Sequence, residues 1–230
     1  MEIIGFEKLS LVDYPMHTAC TLFTGGCNFR CPFCHNGDLV LRPKSFEKQS
    51  VDEIFAYLEK RKGLLDGVVI SGGEPTLQKD LADFAEKIKS IGYDIKLDTN
   101  GTNPEVIATL VEKKLIDYIA VDIKSSKSGY SKAIGLKGFP VTVAQTVDYL
   151  KGNPIDYEFR MTLVDELVTT QDIEQTAEWL EGAKVIYLQK FIEREGCIKK
   201  GLNEVPFAVA SQYAEIFLSH GIDARLRNYD

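Results

Sequence analysis

The chain has 230 residues, 44% of them hydrophobic, with 27 basic and 34 acidic side chains and a net charge of −7. That length fits one α/β domain, and the apolar content builds a core without disulfides. The acidic balance argues against nonspecific binding to nucleic acid or acidic membranes, and no apolar run is long enough to span a bilayer. The first residues lack a basic segment followed by a long apolar run, so no secretory signal is expected. The five cysteines are an odd set with three packed together, which suits a reducing cytosol better than a disulfide framework.

Residues 18–24 read as a strand that ends at Gly25-Gly26. Residues 51–62 read as a helix with Val51, Ile54, Phe55 and Leu58 on one face. A β-branched strand at 67–71 precedes a helix at 77–91. A strand at 93–99 precedes a helix at 104–114, which has Pro at its first position. Strands follow at 118–123, 157–164 and 184–189, with helices at 141–150, 170–181 and 206–219 and a final strand at 222–227. The βα unit thus recurs about six times, which implies a parallel sheet with right-handed crossovers. No linker or low-complexity segment divides the chain, so residues 1–230 are expected to form one domain. Six units fall short of a closed TIM barrel; a partly open barrel and a flat doubly wound sheet both fit.

In either architecture ligands gather at the C-terminal strand ends. The polar motifs fall there: the Cys27–Cys34 loop, Ser71-Gly72-Gly73-Glu74-Pro75, Asp98-Thr99-Asn100-Gly101, Asp122-Ile123-Lys124, Arg160 and Gln189. Cys27, Cys31 and Cys34 have the spacing C-x3-C-x2-C. Thiolates select iron–sulfur clusters or zinc. A cubane held by four cysteines is saturated; held by three, it keeps one iron open. The spacing also suits three residues on one helix face, but Pro32 and Gly25-Gly26 oppose a regular helix. A zinc site of Cys27, Cys31, Cys34 and His35 is the stronger alternative, although adjacent side chains at 34 and 35 converge poorly on a tetrahedral metal. Cys20 reads as a small buried hydrophobe and Cys197 as a loop residue.

Each remaining motif has a plainer reading: a strand-to-helix turn for Gly72–Pro75, a helix cap for Asp98–Gly101, a surface pair for Asp122 and Lys124, a structural ion pair for Arg160, and core for Phe33. Against these, glycines at 72 and 73 let backbone approach a ligand closely. The i, i+2 spacing puts Asp122 and Lys124 on one strand face.

The cysteine spacing, the aromatic residue before the last cysteine, and Gly-Gly-Glu-Pro one βα unit later resemble the radical S-adenosylmethionine (SAM) superfamily. The resemblance implies a partial (β/α)6 TIM-like barrel, α/β with a parallel sheet, carrying a [4Fe–4S] cluster on Cys27, Cys31 and Cys34. In that family the open iron chelates SAM, and one electron cleaves it to methionine and a 5′-deoxyadenosyl radical. By resemblance Glu74 meets the SAM amino group, with Gly72 and Gly73 beside it. Asp98 and Asn100 face the ribose or a monovalent cation, Lys124 meets the carboxylate with Arg160 near it, and Asp122 belongs to the same site on the strand face of Lys124. Phe33 lies near the adenine, and His35 and Gln189 complete the pocket. No side chain is needed as a general acid or base.

Residues Lys8-Leu9-Ser10-Leu11-Val12-Asp13-Tyr14-Pro15, then 18–36 ending in Cys34-His35-Asn36, are similar to activators of glycyl radical enzymes. Among these they most resemble the activating proteins of anaerobic ribonucleoside-triphosphate reductases, and more distantly those of pyruvate formate-lyase. The implied reaction is removal of a glycine Cα hydrogen from a partner enzyme, with a flavodoxin or ferredoxin as electron donor. Met16 departs from the glycine usual after Asp-x-Pro, and there is no cysteine-rich ferredoxin-like insert. The alternatives are a small-molecule enzyme similar to 7-carboxy-7-deazaguanine synthase and a non-enzymatic iron–sulfur or zinc module.

Overall fold

The computed structural model describes residues 1–152 and 154–229. Eight strands form one sheet in chain order: β1 (Ile3–Ser10), β2 (Ala19–Thr24), β3 (Gly67–Gly72), β4 (Asp94–Thr99), β5 (Tyr118–Asp122), β6 (Asp156–Leu163), β7 (Val185–Lys190) and β8 (Asp223–Arg227). From β2 to β8 every pairing is parallel. Only β1 runs antiparallel, against β2. Among the described residues β1 and β8 do not pair with each other, so the sheet is a mostly parallel, unclosed barrel.

The helices are α1 (Gly37–Leu41), α2 (Val51–Arg61), α3 (Leu81–Ile91), α4 (Pro104–Glu112), α5 (Tyr130–Ile134), α6 (Val141–Lys151), α7 (Thr170–Trp179) and α8 (Phe207–Ser219). Their ends carry local signals. Ser50 accepts from the Glu53 N–H at the start of α2, and Thr169 and Asp172 form a capping box on α7. Gly92, at φ 109°, ends α3 in the left-handed region.

Three differences from expectation stand out. β1 precedes the strand read as the first, and α1 and α5 are additional short helices. The helix expected over 77–91 starts at Leu81, because Pro75–Leu77 is a separate 3₁₀ turn capped by the Glu74 side chain.

Strand alternation separates two faces. On β4, Ile95 and Leu97 join the main core with Leu58, Phe84, Ile88 and Ile107, whereas Lys96 and Asp98 point the other way. That inner face holds a small apolar plug of Tyr14, Ala19 and Val69. Tyr14 stacks on His17 with ring centroids 4.0 Å apart. A Cβ on Gly67 would fall 2.8 Å from the Tyr14 ring, so the plug occupies the space a side chain there would need. The same face carries Lys96, Asp98, Asp122 and Arg160, and it leads to the C-terminal strand ends.

Candidate active site

The loop after β2 carries the three thiols, and four segments hold its shape. From the β3 side, Glu74 N–H donates to Gly26 O (2.8 Å), and Asn36 Nδ2 donates to Gly72 O (3.1 Å). A Cβ on Gly73 would lie 1.8 Å from Gly26 O, so no other residue fits this crossing. From the β4 side, Asn100 Nδ2 donates to Asn28 Oδ1 (2.8 Å), and Asn28 Nδ2 to Thr102 Oγ1 (2.8 Å). From α5, Ile134 O accepts from Arg30 N–H (2.9 Å). From the segment after β7, Lys199 N–H donates to Pro32 O (2.8 Å), and Gly196 O accepts from Gly37 N–H (3.0 Å).

Cys27, Cys31 and Cys34 line one cavity together with Phe33, His35, Gly72, Gly73, Asp98, Asn100, Asp122, Lys124 and Arg160. The thiols are free and face the same space. No trio of His, Cys, Asp or Glu is drawn into metal-ligating geometry among the described residues, these thiols included. Burial pushes all three thiols above their ordinary value, Cys31 to about 12, and the Lys124 ammonium opposes the rise. Three soft donors on one loop match the donor set of a cluster with one open iron. Their protons are displaced when a metal binds.

The opposite wall is an ion network. Arg160 on β6 donates through Nε to Asp122 Oδ1 (2.9 Å) and through Nη1 contacts Asp98 Oδ2 (3.3 Å). Lys124 Nζ donates to Asp122 Oδ2 (3.1 Å). The pairing of Asp122 beside Arg160 across β5 and β6 puts these two on one row. Burial alone raises a carboxyl. Here Arg160 and Lys124 overcome it and hold Asp122 at about 2, and Arg160 and Lys96 likewise hold Asp98 low. Lys96 is buried at 1% exposure with its ammonium on Asp98. It went unremarked in the sequence, although its i, i+2 relation to Asp98 is the same signal that paired Asp122 with Lys124. Ser71, named in the sequence only as part of its motif, donates to Asp98 Oδ2 (3.1 Å).

Two of the expected residues stand off the cavity wall. Glu74 is fully buried and does not line the cavity. Its Oε1 accepts from the Thr76 N–H and hydroxyl and the Thr99 hydroxyl, and its Oε2 accepts from the Asn100 N–H. A carboxylate so committed braces the β3 and β4 loops. Glu74→Gln places an amide N–H₂ against one of these donors, so it is expected to lower unfolding free energy by about 1–3 kcal/mol in chemical denaturation. An unchanged midpoint would remove the bracing role. Gln189 lines a neighbouring space with Asp13, Glu158 and Arg227, which meets the cavity only at Asp98 and Arg160.

His35 lines the cavity, but its Nε2 donates to Ile192 O (2.8 Å) and its ring stacks on Phe191. Asn100 lines the cavity with its amide held by Asn28 and Thr102. Cys20 is buried on β2, as expected. Cys197 is buried beneath the cysteine loop at 6% exposure and is absent from the cavity wall.

The Radical SAM superfamily model matches residues 21–180. A Methanocaldococcus jannaschii protein described as "Putative glycyl-radical enzyme activating enzyme" is 34% identical over 93% of this chain and 89% of its own length. A second protein of that organism with the same description is 31% identical over 79% of this chain and 71% of its own length. Among solved structures, a domain of a Bacteroides vulgatus pyruvate-formate lyase-activating enzyme superposes with a TM-score of 0.59 at 18% identity, covering 70% of this chain and 99% of that one. The match spans the cysteine loop, both flanking motifs and the strands that carry the ion network, and the chain is therefore an enzyme of the radical SAM superfamily.

Proposed function

We propose that this enzyme cleaves SAM reductively and activates a glycyl radical enzyme by removing a glycine Cα hydrogen. The partner in this reading is an anaerobic ribonucleoside-triphosphate reductase, and the electron donor a flavodoxin or ferredoxin. The carrying observation is the cavity itself, with three thiols on one wall and the Asp98–Arg160–Asp122–Lys124 network on the other. Membership of the superfamily implies a [4Fe–4S] cluster and SAM. Bound together, they supply a carbon-centred radical that takes a hydrogen atom from a carbon.

In this reading the chain's own residues do the rest. Cys27, Cys31 and Cys34 hold the cluster. Lys96, Lys124 and Arg160 outnumber Asp98 and Asp122 by one charge, which suits a ligand carboxylate at Lys124. Phe33 and His35 flank the adenine, the Gly72 and Gly73 backbone lines the amino end, and Asp98 and Asn100 complete the ribose side. The unclosed edges of the sheet leave a route for a partner's loop, and residues 1–230 act as one unit. The description of the archaeal relatives supports the glycyl radical activation, while the choice of reductase rests on residues 8–36.

A monovalent cation has no place in this reading, because Lys96 already sits on the carboxylate that would hold it. Exchanging Na⁺ or K⁺ for tetramethylammonium is expected to leave the SAM cleavage rate within about twofold; a larger fall would restore the cation.

Anaerobic electron paramagnetic resonance tests the whole proposal. The reconstituted, reduced enzyme is mixed with SAM and an anaerobic ribonucleotide reductase. A SAM-dependent glycyl radical doublet on the reductase is the expected result. Deoxyadenosine without a doublet would overturn the partner, and neither product from a protein with an intact cluster would overturn the activity.

A further inference from the structure

The proposed chemistry needs electrons from outside, and the outer surface of the cysteine loop is unusual in its charge. Arg30 is exposed, and its guanidinium donates to the carbonyls of Cys27 and Phe29 (2.6 Å each). Its backbone joins the loop to α5, and the Lys199–Pro32 and Gly37–Gly196 bonds join the loop to the segment after β7. Residues 27–36, 130–140 and 192–201 are therefore one continuous surface around the thiols. It carries six basic side chains, Arg30, Lys132, Lys137, Arg194, Lys199 and Lys200, against only Glu193 and Glu195, in a chain where acids outnumber bases 34 to 27.

All six are exposed. None of them has a carboxylate within ion-pair distance among the described residues. Lys132 and Lys200 instead donate to backbone carbonyls, of Glu166 and of Arg194 and Glu195. The nearby acids are turned to amides: Glu193 to the N–H groups of Gly201 and Leu202, and Glu166 to Asn203.

We propose that this basic surface is the docking face for an acidic one-electron carrier protein, an inference that rests on the cluster reading above. A negatively charged carrier is repelled by the acidic remainder of the chain and steered to the one face where the ligand loop lies directly beneath. Electron entry then runs through the backbone of Arg30 and its neighbours to the cysteines, away from the cavity in which the ligand sits.

The test uses reconstituted enzyme and a reduced acidic flavodoxin as the probe, with cluster reduction followed by stopped flow. The variant Lys132→Glu/Lys137→Glu/Lys199→Glu reverses charge at side chains outside the cavity. A control, Lys60→Glu/Lys87→Glu/Lys113→Glu, makes the same change in net charge on α2, on α3 and at the end of α4. The docking variant is expected to slow reduction by at least about tenfold at low ionic strength and to flatten its salt dependence, while the control stays within about threefold. Dithionite is expected to reduce all three proteins to the same extent. Equal slowing in both variants, or an unchanged rate in the first, overturns the docking face while the cluster reading stands. Absence of any dithionite-reducible cluster in the unaltered protein overturns that reading, and this inference falls with it.

Discussion

Cys31→Ala is expected to stop SAM cleavage, with deoxyadenosine formation falling more than a thousandfold. Outer partners of metal ligands are worth about 10–100-fold, and loss of a ligand itself exceeds that. Two thiols cannot hold a cubane that needs three. Cys31 is 7% exposed and packs in the main core, so alanine retains most of its contacts and costs the fold only about 1 kcal/mol. The measurement pairs iron and sulfide content with deoxyadenosine yield, and circular dichroism shows the fold retained. Cys20→Ala is the matched control. Its thiol is also buried, and burial pushes it to about 12, but it lies within the core on β2 and not on the cavity wall. Cys197→Ala is expected to keep its cluster for the same reason. Deoxyadenosine at wild-type levels from Cys31→Ala, or its loss from Cys20→Ala in a folded protein, would refute the ligand assignment.

The second large effect is on stability. Arg160→Met leaves the half-buried Asp98 and Asp122 without the guanidinium that bridges them; a fully buried pair broken from one side costs about 3–5 kcal/mol, and partial exposure here brings the expected loss to about 2–3 kcal/mol. The sign with pH follows from Asp122. Burial raises its carboxyl, but Arg160 and Lys124 bring it to about 2, below the ordinary 3.8. A depressed acid contributes stability that is complete above the unfolded value and lost as pH falls toward 2. Wild-type enzyme should therefore lose this contribution between about pH 4 and pH 2. Without Arg160 the carboxyl rises, and acid unfolding moves to higher pH. Urea denaturation at pH 7 and an acid titration read both effects. Arg160→Lys keeps the charge but reaches only one carboxylate, so an intermediate loss is expected. Equal stability and an unmoved acid midpoint in Arg160→Met would show that the network carries no net weight.

Much of this was legible in the residue order. The thiol spacing, the βα alternation and the polar strand ends all describe local geometry, and the cavity wall draws on each of them. What escaped depends on neighbours distant in the chain. β1 reads Ile-Ile-Gly-Phe-Glu-Lys-Leu-Ser, with weak alternation, because it sits at the sheet edge with strand pairing on one side only. Glu74 reads as a cavity-wall residue, but Thr99 and Asn100, 25 and 26 residues on, take up its oxygens within the fold. Gln189 has the correct face of β7 but opens into the adjoining space. Cys197 sits in a polar stretch, and only the bonds from its segment to the cysteine loop bury it.

The cysteine loop takes its shape from partners as distant in sequence as Lys199, whose N–H donates to Pro32 O. Contacts of such sequence separation carry a loop-closure cost that must be met before they stabilise anything. The loop is therefore finished only when β3, β4, α5 and the segment after β7 have all come together. Iron is therefore not expected to seed this fold, as zinc does in a small finger; it would arrive at a loop already tied to its neighbours, with the thiols still to be drawn together. Cells starved of iron would accumulate a folded, empty protein ready for loading, and recovery after starvation would need cluster delivery without new synthesis of the chain.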